Sequence, residues 1–268
     1  MKNILIIGAN SNLAKILVRR FSKDFNFFLA TTTNFDRSLE FVKWICIKDA
    51  NHNLIDALKK IDLIINFGWS QNNYENINLT NFILQHKNKN TDLVFISSIS
   101  ASPKSISLYS KNKYKISSLI SENSQVNVFL GLVNFSESKQ IKHLLKIMKA
   151  LPFLLRFSNN FFNVYVIEID DFLNKFFLLM NKDKSQRNLV MYGKKLGINE
   201  FLDFLEKAYD IKKKITIKIP VFLIKIILFL LRYFPLRISI IEKILTFTFK
   251  DDEWINELEL KQNESGKI

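Results

Sequence analysis

Cysteine is nearly absent from this chain: Cys46 is the single copy in 268 residues, and it lies inside an apolar run. No disulfide framework and no cysteine-rich metal site can be built from it, and a reducing, cytoplasmic setting fits. Histidine is almost as scarce. His52, His86 and His143 are scattered, and no pair has metal-ligand spacing, so no metal site is expected. Charged residues make up only 24% of the chain, and 25 phenylalanines argue against disorder. Internal repeats and low-complexity linkers are also missing. The apolar run after Met1-Lys2-Asn3 stops at Ile7, too short for a signal-peptide core.

The charge balance needs a separate reading. A net charge of +14 invites nucleic acid, because Lys and Arg neutralise phosphates. Here the basic residues are spread along the chain, and no DNA- or RNA-binding signature accompanies them. Nucleic acid is therefore not an expected partner. A basic surface suits anionic small molecules such as nucleotides, or anionic lipid.

What is present is alternation. Short apolar runs at Asn3–Ile7, Phe27–Thr32, Trp44–Ile47, Leu63–Phe67, Leu93–Ser97 and Val126–Leu130 predict strands. Helical patterns lie between them, notably Asn12–Phe21, Asn72–Gln85 and Ser110–Ile120. Strands without polar alternation, separated by helices, predict a parallel sheet covered on both faces with right-handed crossovers. The fold class is α/β: a Rossmann-type, doubly wound parallel sheet, with a small, mostly helical C-terminal lobe. Residues 1–135 are expected to form the nucleotide-cofactor domain. Residues 136–268 form the smaller lobe, with helices at Gln140–Ala150, Asp170–Met180 and Asn199–Tyr209 and strands at Val164–Ile169 and Leu189–Tyr192.

The segment 219–236 is very apolar but is interrupted by Lys225 and Arg232. A spanning helix needs about 20 apolar residues, and charges near its centre are costly. A buried helix of the lobe is the favoured reading. Peripheral membrane contact by an in-plane helix is the rival, given the flanking Lys212–Lys214, Lys218 and Arg237.

Two constellations carry chemistry. The first strand runs into Gly8-Ala9-Asn10-Ser11-Asn12-Leu13-Ala14 and then a helix. A glycine there lets the chain turn tightly, and a helix N-terminus offers N–H groups and a positive dipole end to a pyrophosphate. The second is Ser97-Ser98-Ile99-Ser100 at the end of the fifth strand, followed by Tyr109 and Lys113. Helix positions i and i+4 share a face, so an ammonium at Lys113 would lower the phenol of Tyr109 from its ordinary pKa near ~10. A second Tyr-x-x-x-Lys, Tyr209 and Lys213, has no strand-end serine before it and is read as chance.

In these residues the chain resembles the extended short-chain dehydrogenase/reductase family, the nucleotide-sugar epimerases and dehydratases. Gly8, Ser11 and Ala14 stand at the three glycine positions of the family's GxxGxxG loop, and one glycine of three is kept. The resemblance implies Ser98, Tyr109 and Lys113 as catalytic residues, with Ser97 or Ser100 as an alternative substrate serine. It implies cofactor contacts from Gly8, Asn10, Ser11, Asn12, Leu13, Thr32, Arg37, Asp49, Asn66, Phe67, Gly68, Lys113 and Gly131. Asn76 and Thr80 match a further Asn and Thr of the family. The Arg-Pro that usually precedes the glycine at position 131 is replaced by Phe129-Leu130.

The cofactor implied is NAD(P). The second strand ends in Thr31-Thr32-Thr33 without an acid and Arg37 follows, which leans towards NADP. The activity implied is NAD(P)-dependent reduction or epimerisation at a sugar carbon, 4-keto reduction or 4-epimerisation of a nucleotide sugar in surface-polysaccharide synthesis. Ile99 and Ser100 replace the dehydratases' acidic pair, which disfavours 4,6-dehydration. The alternative is a non-catalytic NAD(P)-binding regulator or membrane-surface protein. A homodimer is compatible with either.

Overall fold

Ile4 and Ile6 of the first strand face one hydrophobic layer and Leu5 and Ile7 the other, and all four are buried. A strand apolar on both sides is stable where helices cover both faces of its sheet. The computed structural model has that arrangement. It describes residues 1–32, 42–47, 51–70, 72–105, 107–160, 162–181, 187–212, 215–220, 222 and 252–264. Arg37, Asp49, Lys213 and, of the apolar segment, residues 221 and 223–236 lie outside the described residues.

The first half runs β1 (Asn3–Ile7), α1 (Asn12–Phe21), β2 (Asn26–Thr31), β3 (Lys43–Cys46), α2 (Asn51–Leu58), β4 (Leu63–Asn66), α3 (Asn73–His86), β5 (Asp92–Ser98), α4 (Leu108–Glu122) and β6 (Val126–Leu130). The second half runs β7 (Leu132–Asn134), α5 (Lys139–Ala150), β8 (Phe153–Phe157), β9 (Asn163–Glu168), α6 (Ile169–Asn181), β10 (Asn188–Met191), β11 (Lys194–Gly197), α7 (Ile198–Ala208), β12 (Ile215–Ile219) and α8 (Asp252–Glu264). The main sheet has seven strands in the order β10-β6-β5-β4-β1-β2-β3, and every pairing in it is parallel. Chain order reverses direction between β1 and β4, and this switch point opens the crevice in which such sheets bind ligands.

Helix α1 and the Phe172–Met180 face of α6 close one side of the sheet; α2, α3 and the Ile116–Ile120 face of α4 close the other. The lobe has its own core, in which Ile141, Leu145, Phe201 and Leu205 pack on β8 and β9. It also contains strands that the sequence pattern does not announce. The stretch directly after Gly131 forms β7, which pairs with β9. β11 pairs antiparallel with β9, and β12 pairs with β8. Among the described residues no helix is long and apolar enough to cross a membrane.

Candidate active site

Gly8 ends β1 with φ +74°, and a Cβ there would lie 2.4 Å from Gly68 N and 2.5 Å from Gly68 Cα. Both the left-handed backbone and the backbone-to-backbone approach therefore require glycine. The turn is held by Gly8 N–H and Ala9 N–H donating to Ala30 O, at 3.0 and 3.3 Å. Asn10 Nδ2 donates to Thr31 Oγ1 at 3.1 Å, which ties the turn to the end of β2. Ser11 caps α1, its hydroxyl accepting Ala14 N–H at 3.3 Å. Capping leaves the first N–H groups of α1, from Asn12 and Leu13, at the crevice end of the helix, where a pyrophosphate would be met. Asn12 Nδ2 donates to Glu137 O at 2.7 Å, so the start of α1 is anchored to the segment entering the lobe.

The end of β4 forms the other wall. Asn66 is buried and its Oδ1 accepts Gly68 N–H at 2.8 Å, bending the chain back towards Gly8. Phe67 turns inward and stacks on Phe176 with ring centroids 5.9 Å apart, so its side chain belongs to the core. Asn76 clamps the loop from α3: Oδ1 accepts Ser70 N–H and Nδ2 donates to Ser70 O, both at 2.8 Å. Thr80 Oγ1 donates to Asn76 O at 2.8 Å, behind that clamp.

Ser98 stands at the last residue of β5 and is half-buried, whereas Ser97 is 5% exposed and bonded to Ser117 Oγ at 2.7 Å. Of this pair, Ser98 is the one on the crevice side. Ser100 is also buried, with its Oγ 2.9 Å from Ser98 Oγ and 3.0 Å from Ser110 Oγ. Tyr109 and Lys113 lie one turn apart on α4. Lys113 is 4% exposed; its Nζ donates to Ile96 O at 2.7 Å and sits 4.5 Å from the ring centroids of both Trp69 and Phe95. Trp69 also meets Tyr109 edge-on, with centroids 5.4 Å apart. One indole therefore touches both members of the Tyr–Lys pair.

The electrostatics depart from the sequence expectation. An adjacent ammonium was expected to depress the Tyr109 phenol, but burial pushes that phenol up to about 12. Burial also brings Lys113 down to about 7. Burial is the cause in both cases, since it disfavours the charged form of each group, while the two rings and the carbonyl around the amine act the other way.

The remaining expected residues are distributed as follows. Thr32 is exposed just past β2. Gly131 has a packing reason of its own: a Cβ would lie 2.7 Å from Tyr165 O, and its N–H donates to Met191 O at 2.9 Å. Tyr209 of the second Tyr-x-x-x-Lys lies in the lobe and donates to Asn134 Oδ1 at 3.0 Å. Sequence reasoning missed Trp69 and Trp254. Trp254 of α8 donates from Nε1 to Ala101 O at 3.1 Å and packs edge-on against Tyr114 and Phe129, pinning the loop after Ser98. A cavity of about 530 Å³ lined by Lys2, Asp62, Asn88, Thr91 and Asp92 lies at the opposite, N-terminal ends of the strands. Open α/β sheets bind at the other end.

The fold so defined is a Rossmann-type α/β fold. No protein-family model and no curated protein sequence matches the chain. Solved structures do match in fold. One is UDP-N-acetylglucosamine 4-epimerase from Bacillus cereus, with TM-score 0.64 and 16% identity, covering 82% of this chain and 86% of that one. Another is UDP-glucuronic acid 4-epimerase from Bacillus cereus in complex with UDP-glucuronic acid and NAD, with TM-score 0.60 and 17% identity, covering 81% and 86%. A third, gox2253, has TM-score 0.67 and 14% identity and covers 97% of this chain and 93% of its own.

Proposed function

We propose that this chain is an NAD(P)-dependent enzyme that reduces or epimerises a sugar carbon of a nucleotide sugar, at the 4-position. The observation that carries this reading is that Tyr109 and Lys113 both meet Trp69, with Lys113 bonded to β5, the strand that ends in Ser98, in a fold whose first turn admits only glycine at position 8. A non-catalytic dinucleotide-binding regulator would have no use for a buried lysine beside a tyrosine and a strand-end serine. The turn fits the pyrophosphate of a dinucleotide, because its close Gly8–Gly68 approach leaves backbone rather than side chains at the crevice.

Gly8, Asn10, Ser11, Asn12, Leu13, Thr32, Asn66, Phe67, Gly68, Lys113 and Gly131 would hold the dinucleotide, joined by Arg37 and Asp49. In the sequence, Thr31-Thr32-Thr33 followed by Arg37, with no acid among them, favour a 2′-phosphate, hence NADP. When bound, the nicotinamide supplies the hydride chemistry. The chain's own share is proton transfer and positioning. Ser98 donates a hydrogen bond to the substrate oxygen. Tyr109 passes a proton to or from that oxygen, and its pKa, now high, must fall for it to serve as a base at neutral pH. Lys113, once charged, supplies that fall. Ile99 is packed in the core and Ser100 is buried, so no acid stands where a 4,6-dehydratase would need one.

The test is cofactor binding followed by hydride transfer over a panel of UDP- and TDP-sugars. Tyr109→Phe abolishes turnover and leaves cofactor affinity largely intact; a variant that stays active overturns the acid/base assignment. A membrane-surface role draws support from Ile215 and Ile217 just before the apolar segment and Phe222 within it, which are 78%, 43% and 60% exposed. Co-sedimentation with anionic vesicles tests it, and a chain that stays wholly in the supernatant removes it.

A further inference from the structure

Four serine hydroxyls form one continuous chain behind the site. Ser107 Oγ donates to Ser110 Oγ at 2.8 Å, Ser110 Oγ donates to Ser100 Oγ at 3.0 Å, and Ser100 Oγ lies 2.9 Å from Ser98 Oγ. Ser100, Ser107 and Ser110 are all buried, so each hydroxyl proton must find an acceptor inside the protein. The direction of the chain is set at its far end, where Ser107 is the N-cap of α4. Its Oγ already accepts Ser110 N–H at 3.0 Å, so its own proton goes on to Ser110 Oγ. Ser110 passes its proton to Ser100. Among the described residues, the acceptor within reach of the Ser100 proton is Ser98 Oγ. Ser98 Oγ also accepts Ser100 N–H, at 3.3 Å. With both acceptor sites taken from behind, the Ser98 proton is left to point away from Ser100, towards the crevice.

We propose that Ser100 and Ser110 are positioning residues that fix Ser98 as a hydrogen-bond donor to the substrate oxygen. Hydrogen bonds in such a chain polarise one another, so each upstream hydroxyl strengthens the last donor. A donor preset in this way costs no reorganisation when negative charge develops on the oxygen it faces. The loop is built to hold the chain still: Ser105 Oγ donates to Ser100 O at 2.7 Å, and Trp254 Nε1 takes Ala101 O at 3.1 Å. This inference rests on the reading of Ser98 as the substrate serine, and the experiment separates the two.

The chain itself is read without substrate, in protein labelled at serine ¹³Cβ, from the deuterium isotope shift that a slowly exchanging hydroxyl leaves on its carbon. Ser100 shows slow exchange in the wild type, Ser98, whose proton faces the crevice, exchanges faster, and Ser110→Ala moves the Cβ signals of both although it touches only one. Kinetics with the preferred sugar nucleotide then show kcat lowered about tenfold in Ser100→Ala and in Ser110→Ala, a fraction of the loss expected for a direct oxyanion donor. KM and cofactor affinity stay put, and Ser100→Thr and Ser110→Thr restore most of the rate. A Ser98 signal unmoved by Ser110→Ala, or alanine variants with wild-type kcat, overturns the proposal. A slowly exchanging Ser100, with the Ser98 and Ser100 signals coupled to Ser110, in a protein that turns over no nucleotide sugar would leave the hydroxyl chain standing and remove the proposed activity instead.

Discussion

Replacing Lys113 by methionine should make the cofactor-free protein more stable at neutral pH. The lysine is 4% exposed and has two aromatic rings and one carbonyl around its Nζ. Burial lowers its pKa to about 7, while in the unfolded chain it titrates near ~10.4. Between those values the unfolded chain binds the extra proton, so stability rises as pH rises through the window. Below pH 7 the full cost is present, on the order of 4 kcal/mol at 1.36 kcal/mol for each pH unit of difference. Methionine keeps the length and removes the charge. It also leaves Ile96 O without the Nζ donor, a loss of about 1–2 kcal/mol.

The net expectation is a gain of about 2–3 kcal/mol at pH 6–7, or a Tm higher by about 4–12 °C, vanishing towards pH 10. Tyr109 enters only above that: its phenol titrates at about 12 when folded, so stability falls again as the unfolded phenol ionises from pH ~10 upward. Denaturant midpoints of wild type and Lys113→Met at pH 6, 7.5 and 9 read the effect. A wild type whose stability is flat from pH 7 to 9, or a methionine variant destabilised at pH 6, would refute the claim that the lysine is held there at a cost.

Three further outcomes follow from the same geometry. Gly8→Ala must shift backbone, since its Cβ would meet Gly68 N at 2.4 Å, and its φ alone costs about 1–2 kcal/mol. A drop of at least tenfold in dinucleotide affinity by calorimetry is expected. Gly68→Ala, whose nearest contact is Asn66 Oδ1 at 3.0 Å, should be milder. Trp69→Leu removes one of two rings that favour the Lys113 ammonium, so the lysine should titrate lower still, by about half a pH unit or more, in NMR of labelled lysine; an unchanged midpoint means that the indole gives no support. Trp254→Phe deletes the bond to Ala101 O at about 1 kcal/mol, and hydrogen exchange at Ala101 and Ser105 should quicken while the β1 amides stay protected.

The main sheet was legible because its signal is local and repeated. Asn3–Ile7, Val126–Leu130 and Asn12–Phe21 match the observed elements end for end. The other strands of the main sheet shift by a residue or two at their ends, as fraying termini do. Buried strands and capped amphipathic helices each carry their own pattern. The lobe does not work that way. β8, reading Phe153-Leu-Leu-Arg-Phe157, shows no clean alternation, and β12 is largely exposed. Each is a strand because the other lies beside it, a long-range fact that no window of sequence contains. Gly131 was placed correctly at the end of β6, but the spacing could not reveal that Tyr165 O crosses 2.7 Å from where its Cβ would be.

The site divides along the same line. The spacing of Tyr109 and Lys113 guarantees a shared helix face, and the strand-end position of Ser98 follows from the sheet. What an i, i+4 spacing cannot specify is what stands around the two groups. Trp69 reaches them from the loop after β4, placed by the Asn76 clamp on Ser70 and by the bend at Gly68. Its ring meets Tyr109 edge-on and lies 4.5 Å from the Lys113 amine. With the indole there, the aromatic face favours the ammonium while burial opposes it, and burial raises the phenol. At about 7 the lysine is part-charged near neutral pH, whereas ionising Tyr109 there requires added positive charge beside the phenol. Trp69 is the contact they share, and it sits on a short loop rather than in the sheet. A change at either group should therefore register at this indole, and its fluorescence is the direct readout when a dinucleotide is added.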